Sequence, residues 1–357
     1  MKILFVVTSL YTGGTEKLVI EMAPRLIALG HDVDVALFDG TETPFKKILK
    51  QTSCMIYDLG RSVKSPLVIF KLAKLMRKYD VVHTHNTYPQ IYGAIANLYA
   101  RRTIVTTEHS TNNRRREIRL LSIVDKWMYR QYAKVICISK QAEINLLEYL
   151  GGNKGNILTI FNGVDVEKYH RAQPNPALRN GSNRFVVVMV ASLHWQKDQD
   201  TIIRAMSHLP KDEYEAWIVG EGNRRNDLEN LTRQCNVEDQ VVFWGNRYDI
   251  PEILHTADMA IMSSHFEGLS LSSVEGMSIG HPFIASNVDG LRETVIDAGI
   301  LFEHGNDKEL ASVIQQLRED KTYYKEIAEK CLERAKTYDI SQTIKAYDSI
   351  YREVFVD

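Results

Sequence analysis

Cysteine is scarce in this 357-residue chain: Cys54, Cys137, Cys235 and Cys331 are all there are, and no two stand in a Cys-x-x-Cys pair. That spacing argues against a disulfide framework and a structural zinc site, and fits reduced thiols in a cytoplasmic setting. Long apolar runs are missing too; none approaches the roughly 18 residues that an integral membrane span needs. The opening Met1-Lys2-Ile3-Leu4-Phe5-Val6-Val7 is too short for a signal-peptide core and gives way to Thr8-Ser9 and Gly13-Gly14, so it reads as a first parallel strand. A G-x-G-x-x-G fingerprint is absent, since Gly13-Gly14-Thr15-Glu16 lacks the spacing. Net charge is nearly absent, at −1, but unevenly shared: residues 1–170 hold 24 Lys+Arg against 15 Asp+Glu (+9), and the rest hold 20 against 30 (−10). A basic half joined to an acidic half points to different partners for the two. No aromatic-interleaved basic motif accompanies the positive half, which leaves no case for nucleic acid.

What is present is an α/β alternation. Hydrophobic residues make up 44% of the chain, enough for a compact protein of two domains. Strand candidates in the first half are 2–8, 32–38, 80–83, 103–107 and 134–138, with a helix from Gly13-Gly14 to about Leu29. The pattern restarts at Arg184–Ala191 and continues through 215–219, 240–244, 257–262 and 283–286. Between the halves, Ala172-Gln173-Pro174-Asn175-Pro176 and Arg179-Asn180-Gly181-Ser182-Asn183 read as a linker. The expectation is two doubly wound, Rossmann-like domains, 1–170 and 171–340, with helical residues after 320.

The densest motif is Ser264-His265-Phe266-Glu267-Gly268-Leu269-Ser270-Leu271-Ser272-Ser273-Val274-Glu275. It follows a buried-strand pattern, so Glu267-Gly268 falls in a strand-to-helix turn, with the helix predicted to start near Leu269. Gly268 removes a Cβ where a ligand can approach the backbone, and the Leu269 and Ser270 N–H groups suit a phosphate at a helix N-terminus. Glu275 lies roughly 9 Å further on at about 1.5 Å per residue, a plausible step from a diphosphate to a ribose. Glu267 then reaches a sugar, and the segment reads as a nucleotide-sugar cradle. Open α/β sheets bind ligands beyond the carboxyl ends of their strands. The Glu267 turn, the Gly13-Gly14 turn, His109 and the loop Ser192–Lys197 all follow predicted strands, so two such domains would bring them to one cleft.

With Val82-His83-Thr84-His85, Thr107-Glu108-His109, Asn162-Gly163-Val164-Asp165 and Phe243-Trp244-Gly245-Asn246 before it in order along the chain and Gly280-His281-Pro282 after it, the Glu267/Glu275 motif resembles the retaining glycosyltransferases of family 4, which have the two-domain GT-B fold. The resemblance implies a last helix, 341–357, crossing back onto the first domain, a first domain that takes the acceptor and a second that takes the nucleotide sugar. It implies that His109 is the active-site histidine near the transferred sugar and that Glu267 and Lys197 are catalytic. Donor contacts fall on Gly13, Gly14, Ser192, Asn246, Arg247, Gly268, Leu269, Ser270 and Glu275. Relatives commonly hold the diphosphate with an arginine and a lysine five residues later; here Lys197 matches the lysine, but Ser192 stands at the arginine position, and Arg247 is one candidate substitute.

The expected activity is transfer of a sugar, with retention, from a nucleotide sugar (a UDP-sugar by the family's frequency) to a glycan, lipid-linked or polysaccharide-precursor acceptor, as in capsule or lipopolysaccharide assembly. The alternatives are an epimerase or hydrolase of the same fold, or a nucleotide-sugar-binding partner subunit. No cofactor and no divalent metal requirement is expected. Asp32-Val33-Asp34 imitates the metal motif of the other glycosyltransferase fold but sits within a strand, and His83 with His85 lacks a third ligand. Arg114-Arg115-Arg116 before the amphipathic pattern Ile118–Ala133 reads either as a solvated basic turn leading into a core helix or as a peripheral dock for anionic lipid at the inner face of the cell membrane.

Overall fold

The computed structural model describes residues 1–11, 13–60, 67–109, 119–152 and 155–356; the Arg114-Arg115-Arg116 stretch lies outside them. The chain divides into two units, Met1–Asn162 with Ser341–Asp357, and Gly163–Ile340. The first is built on β1 (Lys2–Val7), β2 (Asp32–Leu37), β3 (Ile56–Asp58), β4 (Val81–His85), β5 (Thr103–Glu108), β6 (Lys134–Cys137) and β7 (Ile157–Thr159). These form one parallel sheet in the order β3-β2-β1-β4-β5-β6-β7, with Phe5 beside both Val35 and His83. The second is built on β8 (Phe185–Val190), β9 (Tyr214–Val219), β10 (Val241–Gly245), β11 (Met259–Met262), β12 (Phe283–Ser286) and β13 (Ile300–Phe302), in the order β10-β9-β8-β11-β12-β13. All pairings are parallel.

Both sheets are doubly wound, so their inner strands are apolar on both faces and read as continuous runs rather than as alternation. Phe185–Met189 is buried throughout, as is all of β9, where the Trp217 indole is fully enclosed and donates to Glu215. Each order reverses once, between β1 and β4 in the first sheet and between β8 and β11 in the second. A doubly wound sheet opens its ligand crevice at such a reversal.

Two boundaries differ from the sequence reading. Residues 163–170 belong to the second unit: Val164 pairs with Asp339, and helix Val166–Arg171 sinks Val166 and Tyr169 into the second core. The expected linker is also part of that unit. The Asn175 N–H donates to Thr256 Oγ1 at 2.8 Å, and the Arg179 guanidinium binds the Thr256 carbonyl and Asp258. Polar docking of this kind leaves no apolar periodicity. Helix Ile340–Val356 follows the second unit in sequence yet packs into the first, where its Tyr347 and Tyr351 are fully buried. Among the described residues no helix is long and apolar enough to cross a membrane.

Candidate functional site

In the second unit the sequence-predicted residues gather where β8 and β11 end. The chain leaves β8 through Ser192 and a single 3-10 turn, Trp195–Lys197, that delivers the Lys197 ammonium to Glu267 Oε1 at 2.5 Å. Glu267 comes from the loop after β11, so the pair spans the reversal of the sheet. The Lys197 and Glu267 side chains are only 20% and 7% exposed, so each charge is held largely away from water and needs the other. Ser264 Oγ donates to the same Oε1 at 2.6 Å. Both hydrogen bonds land on one oxygen, which leaves Oε2 for a ligand.

The helix begins two residues later than predicted. It runs Leu271–Ser278, and Ser270 is its cap, the hydroxyl accepting from the Ser273 N–H. No acidic residue stands in its first turn, whose leading N–H groups have no partner inside the helix, so the turn suits an anion. A Cβ at Gly268 would meet nothing within 4 Å, so the approach to this backbone is open. Glu275 is buried on the same helix. The loop is held from below by Gly290, whose φ of +82° and whose position against the Glu267 and Gly268 carbonyls leave no room for a side chain: a Cβ would lie 2.2 Å from the Gly268 oxygen.

Ser192 is exposed, and its carbonyl accepts from Gln199 Nε2 at 3.0 Å. Asn246 is exposed just after β10. Arg247, the candidate stand-in for the arginine that Ser192 replaces, binds Asp249 through Nε and Nη2 at 2.8 and 2.5 Å and lies over the Trp244 ring. That partner holds the Asp249 carboxyl below its ordinary range. Arg224 is likewise committed to Asp200.

In the first unit, Gly13 caps helix Gly14–Ala28 without a side-chain bond, and Glu16 occupies the first turn, accepting from Asn86 Nδ2 at 3.2 Å across the reversal between β1 and β4. His109 follows β5, and its Nε2 meets His85 Nδ1 at 3.1 Å. Burial pushes the His109 imidazole down to about 3 and holds His83 and His85 well below their ordinary range, so all three rings are neutral at neutral pH. His83 is closed off by Tyr351 on one nitrogen (2.6 Å) and Thr107 on the other (2.8 Å), a packing role and not a metal ligand. Asp34 is also spoken for: its carboxylate accepts from the Met55 N–H and the Tyr79 hydroxyl, so Asp32-Val33-Asp34 serves the fold.

Sequence reasoning missed Ser264 and Gly290, whose contacts with Glu267 appear only once the loops are folded. It also missed Asp198, His265 and His304, a group whose donor atoms all lie within 4.8 Å of one another. Within the Glu267 motif, only the presence of His265 was visible.

Comparison with known proteins agrees with this architecture. Residues 173–337 match the family described as glycosyl transferases group 1, and residues 12–168 match Glycosyltransferase Family 4. The UDP-Gal:alpha-D-GlcNAc-diphosphoundecaprenol alpha-1,3-galactosyltransferase of Escherichia coli is 30% identical over 274 residues, covering 71% of this chain and 69% of its own. The O-antigen biosynthesis glycosyltransferase WbnH of Escherichia coli is 24% identical over 292 residues, covering 80% of each chain. Among solved structures, HepE of Anabaena, crystallised with UDP and with UDP-glucose, superposes with a TM-score of 0.84 at 25% identity, covering 99% of this chain and 100% of that one. Two matched halves, a relative at this identity over most of both chains, and the paired parallel sheets agree: the chain belongs to glycosyltransferase family 4 and is a glycosyltransferase of the GT-B fold.

Proposed function

We propose that the enzyme transfers a hexosyl or N-acetylhexosaminyl group from a UDP-sugar, with retention of anomeric configuration, to a glycan or lipid-linked acceptor. The observation that carries this reading is the Lys197–Glu267 pair at the β8/β11 reversal, beside a helix start with no acidic residue. A diphosphate at the 268–270 backbone meets the Lys197 ammonium, which has further protons to donate, and departs as a stabilised anion. Glu267 keeps Oε2 for a hydroxyl of the donor sugar, and Glu275 takes the ribose. The loop at Asn246 and Arg247 faces the base mainly with its backbone, because the Arg247 guanidinium is engaged with Asp249. His109, held neutral, can serve as a hydrogen-bonding group and not as a cation.

The uridine preference is supported by HepE, solved with UDP and UDP-glucose, and a lipid-linked acceptor by the diphosphoundecaprenol in the name of the Escherichia coli relative. Presentation of such an acceptor at an anionic membrane fits the basic first unit, where Leu67, Phe70, Leu98 and Tyr99 are exposed. No cofactor or catalytic metal enters this scheme. A thermal-shift panel of UDP-, GDP- and ADP-sugars, followed by NMR of the glycoside formed, tests it. Stabilisation by a UDP-sugar and an anomeric configuration matching the donor are expected; an inverted product, or no stabilisation by any UDP-sugar, refutes it.

A further inference from the structure

Three loops at the carboxyl ends of β8, β11 and β13 bring Asp198, His265 and His304 together just beside the Lys197–Glu267 pair. His265 Nδ1 and His304 Nε2 are 2.6 Å apart, and Asp198 Oδ2 lies 3.9 and 3.8 Å from them. From this convergence we infer that the second unit carries a site for a divalent first-row metal ion of zinc's class, liganded by Asp198, His265 and His304. In a tetrahedral site with metal–nitrogen distances near 2.0–2.1 Å, ligand atoms stand roughly 3.3 Å from one another. The three separations straddle that value, so small side-chain rotations, opening the histidine pair and drawing in the carboxylate, complete the triangle. The fourth position faces solvent, since the His304 side chain is 39% exposed.

Asp198 and His265 are held in place by contacts outside the triangle, as metal ligands commonly are. Asp198 is buried and its Oδ2 accepts from Thr201 Oγ1 at 2.6 Å, which aims the carboxylate. The His265 ring stacks on Trp195 at 4.4 Å, and its backbone N–H is tied to the Gln196 carbonyl at 2.8 Å. Two imidazoles and one carboxylate suit zinc, nickel, cobalt or copper rather than magnesium. The ion is not a participant in sugar transfer. Asp198 follows Lys197 directly and His265 precedes Glu267 by two residues, so the metal pins both arms of the ion pair to the β13 loop. This site is compatible with metal-independent transfer and does not rest on the proposed donor or acceptor.

The test is a calorimetric titration of the chelator-treated, full-length protein with zinc, with cobalt as the spectroscopic probe. One saturable equivalent and a rise in Tm with zinc are expected. His304→Ala and His265→Ala are expected to weaken binding by more than the roughly 10–100-fold that Thr201→Val, which removes only an outer partner, should cost. Cys235→Ser, which removes a half-buried thiol, should leave the equivalent intact. Metal-free Tm values of the variants report whether each is folded, and His304, on a partly exposed loop, tolerates replacement by Gln as a second check. No saturable zinc binding by the wild-type protein, undiminished binding in folded His304→Ala and His304→Gln variants, or loss of the equivalent in Cys235→Ser overturns the inference.

Discussion

At the reversal of the first sheet the crossing contact is a hydrogen bond, Asn86 to Glu16; at the reversal of the second it is an ion pair, Lys197 to Glu267. The helices that start there differ in the same sense. Gly14–Ala28 already holds an acid, Glu16, against its positive end, whereas Leu271–Ser278 is capped by a neutral serine and keeps its first turn free of acid. A carboxylate in the first turn satisfies the helix dipole and repels a phosphate; a neutral cap leaves both for a ligand. Two reversals of one topology thus differ in electrostatic readiness, and the proposed diphosphate contact falls at the second. The first unit buries neutral imidazoles instead.

Substitution at the ion pair puts that contrast under the greatest strain. Glu267→Ala and Lys197→Ala should each lower the turnover of sugar transfer by about 10²–10³-fold, the usual cost of a group that acts on charge developing in the transition state. Steady-state kinetics of the two variants beside Glu16→Ala decides it; equal losses in all three would erase the distinction between the crevices.

Acid should separate the units next. His83, His85 and His109 in the first unit are depressed below the ordinary 6.5, His109 to about 3, whereas in the second His281 is depressed to about 4. Between the depressed values and 6.5 the unfolded chain binds more protons than the folded one. Stability is therefore complete above about pH 6.5 and falls as pH drops toward 4. His109 alone should lose a few kcal/mol over that range, because each tenfold change in proton affinity is worth about 1.4 kcal/mol, and His83 and His85 act in the same direction. Hydrogen exchange at stepped pH should show β4 and β5 losing protection before β8 and β11. For the same reason transfer should show no inflection from His109 near neutrality.

The glycines give a third, smaller test. Gly290→Ala forces a Cβ onto the Glu267 and Gly268 carbonyls at a φ of +82°, which should cost about 1–3 kcal/mol and lower Tm. Gly14→Ala meets nothing within 4 Å at a helix start and should be neutral or stabilise by up to about 1 kcal/mol. Smallest of all, Glu16→Gln should change affinity for UDP by less than about fivefold, as calorimetry would show, because a first-turn charge is typically worth about 0.3–1 kcal/mol.

The long strands are legible because burial on both faces writes unbroken aliphatic runs. The predictions 32–38, 103–107 and 134–138 lie within a residue of β2, β5 and β6. The three-residue strands β3, β7 and β13 escape notice, being too short to show any period. Glu267 and Glu275 stand out because their spacing is local. Ser264 is unremarkable in sequence until the turn folds it back onto Glu267, and Gly290 supports that turn from 22 residues away. The commitment of Arg247 to Asp249, only two residues on, is open to inspection but cannot be told from an ordinary charged loop without coordinates.

The helix that closes the first unit has a consequence for biosynthesis. Tyr347 and Tyr351 supply the hydroxyls that satisfy Thr107 and His83, in the interior of strands translated long before. At about 5–20 residues per second, the ribosome takes on the order of ten seconds or more to make the whole second unit before that helix emerges. Throughout that wait the early strands lack their last covering layer, so nascent chains stalled before residue 340 should be the species that chaperones hold and proteases find.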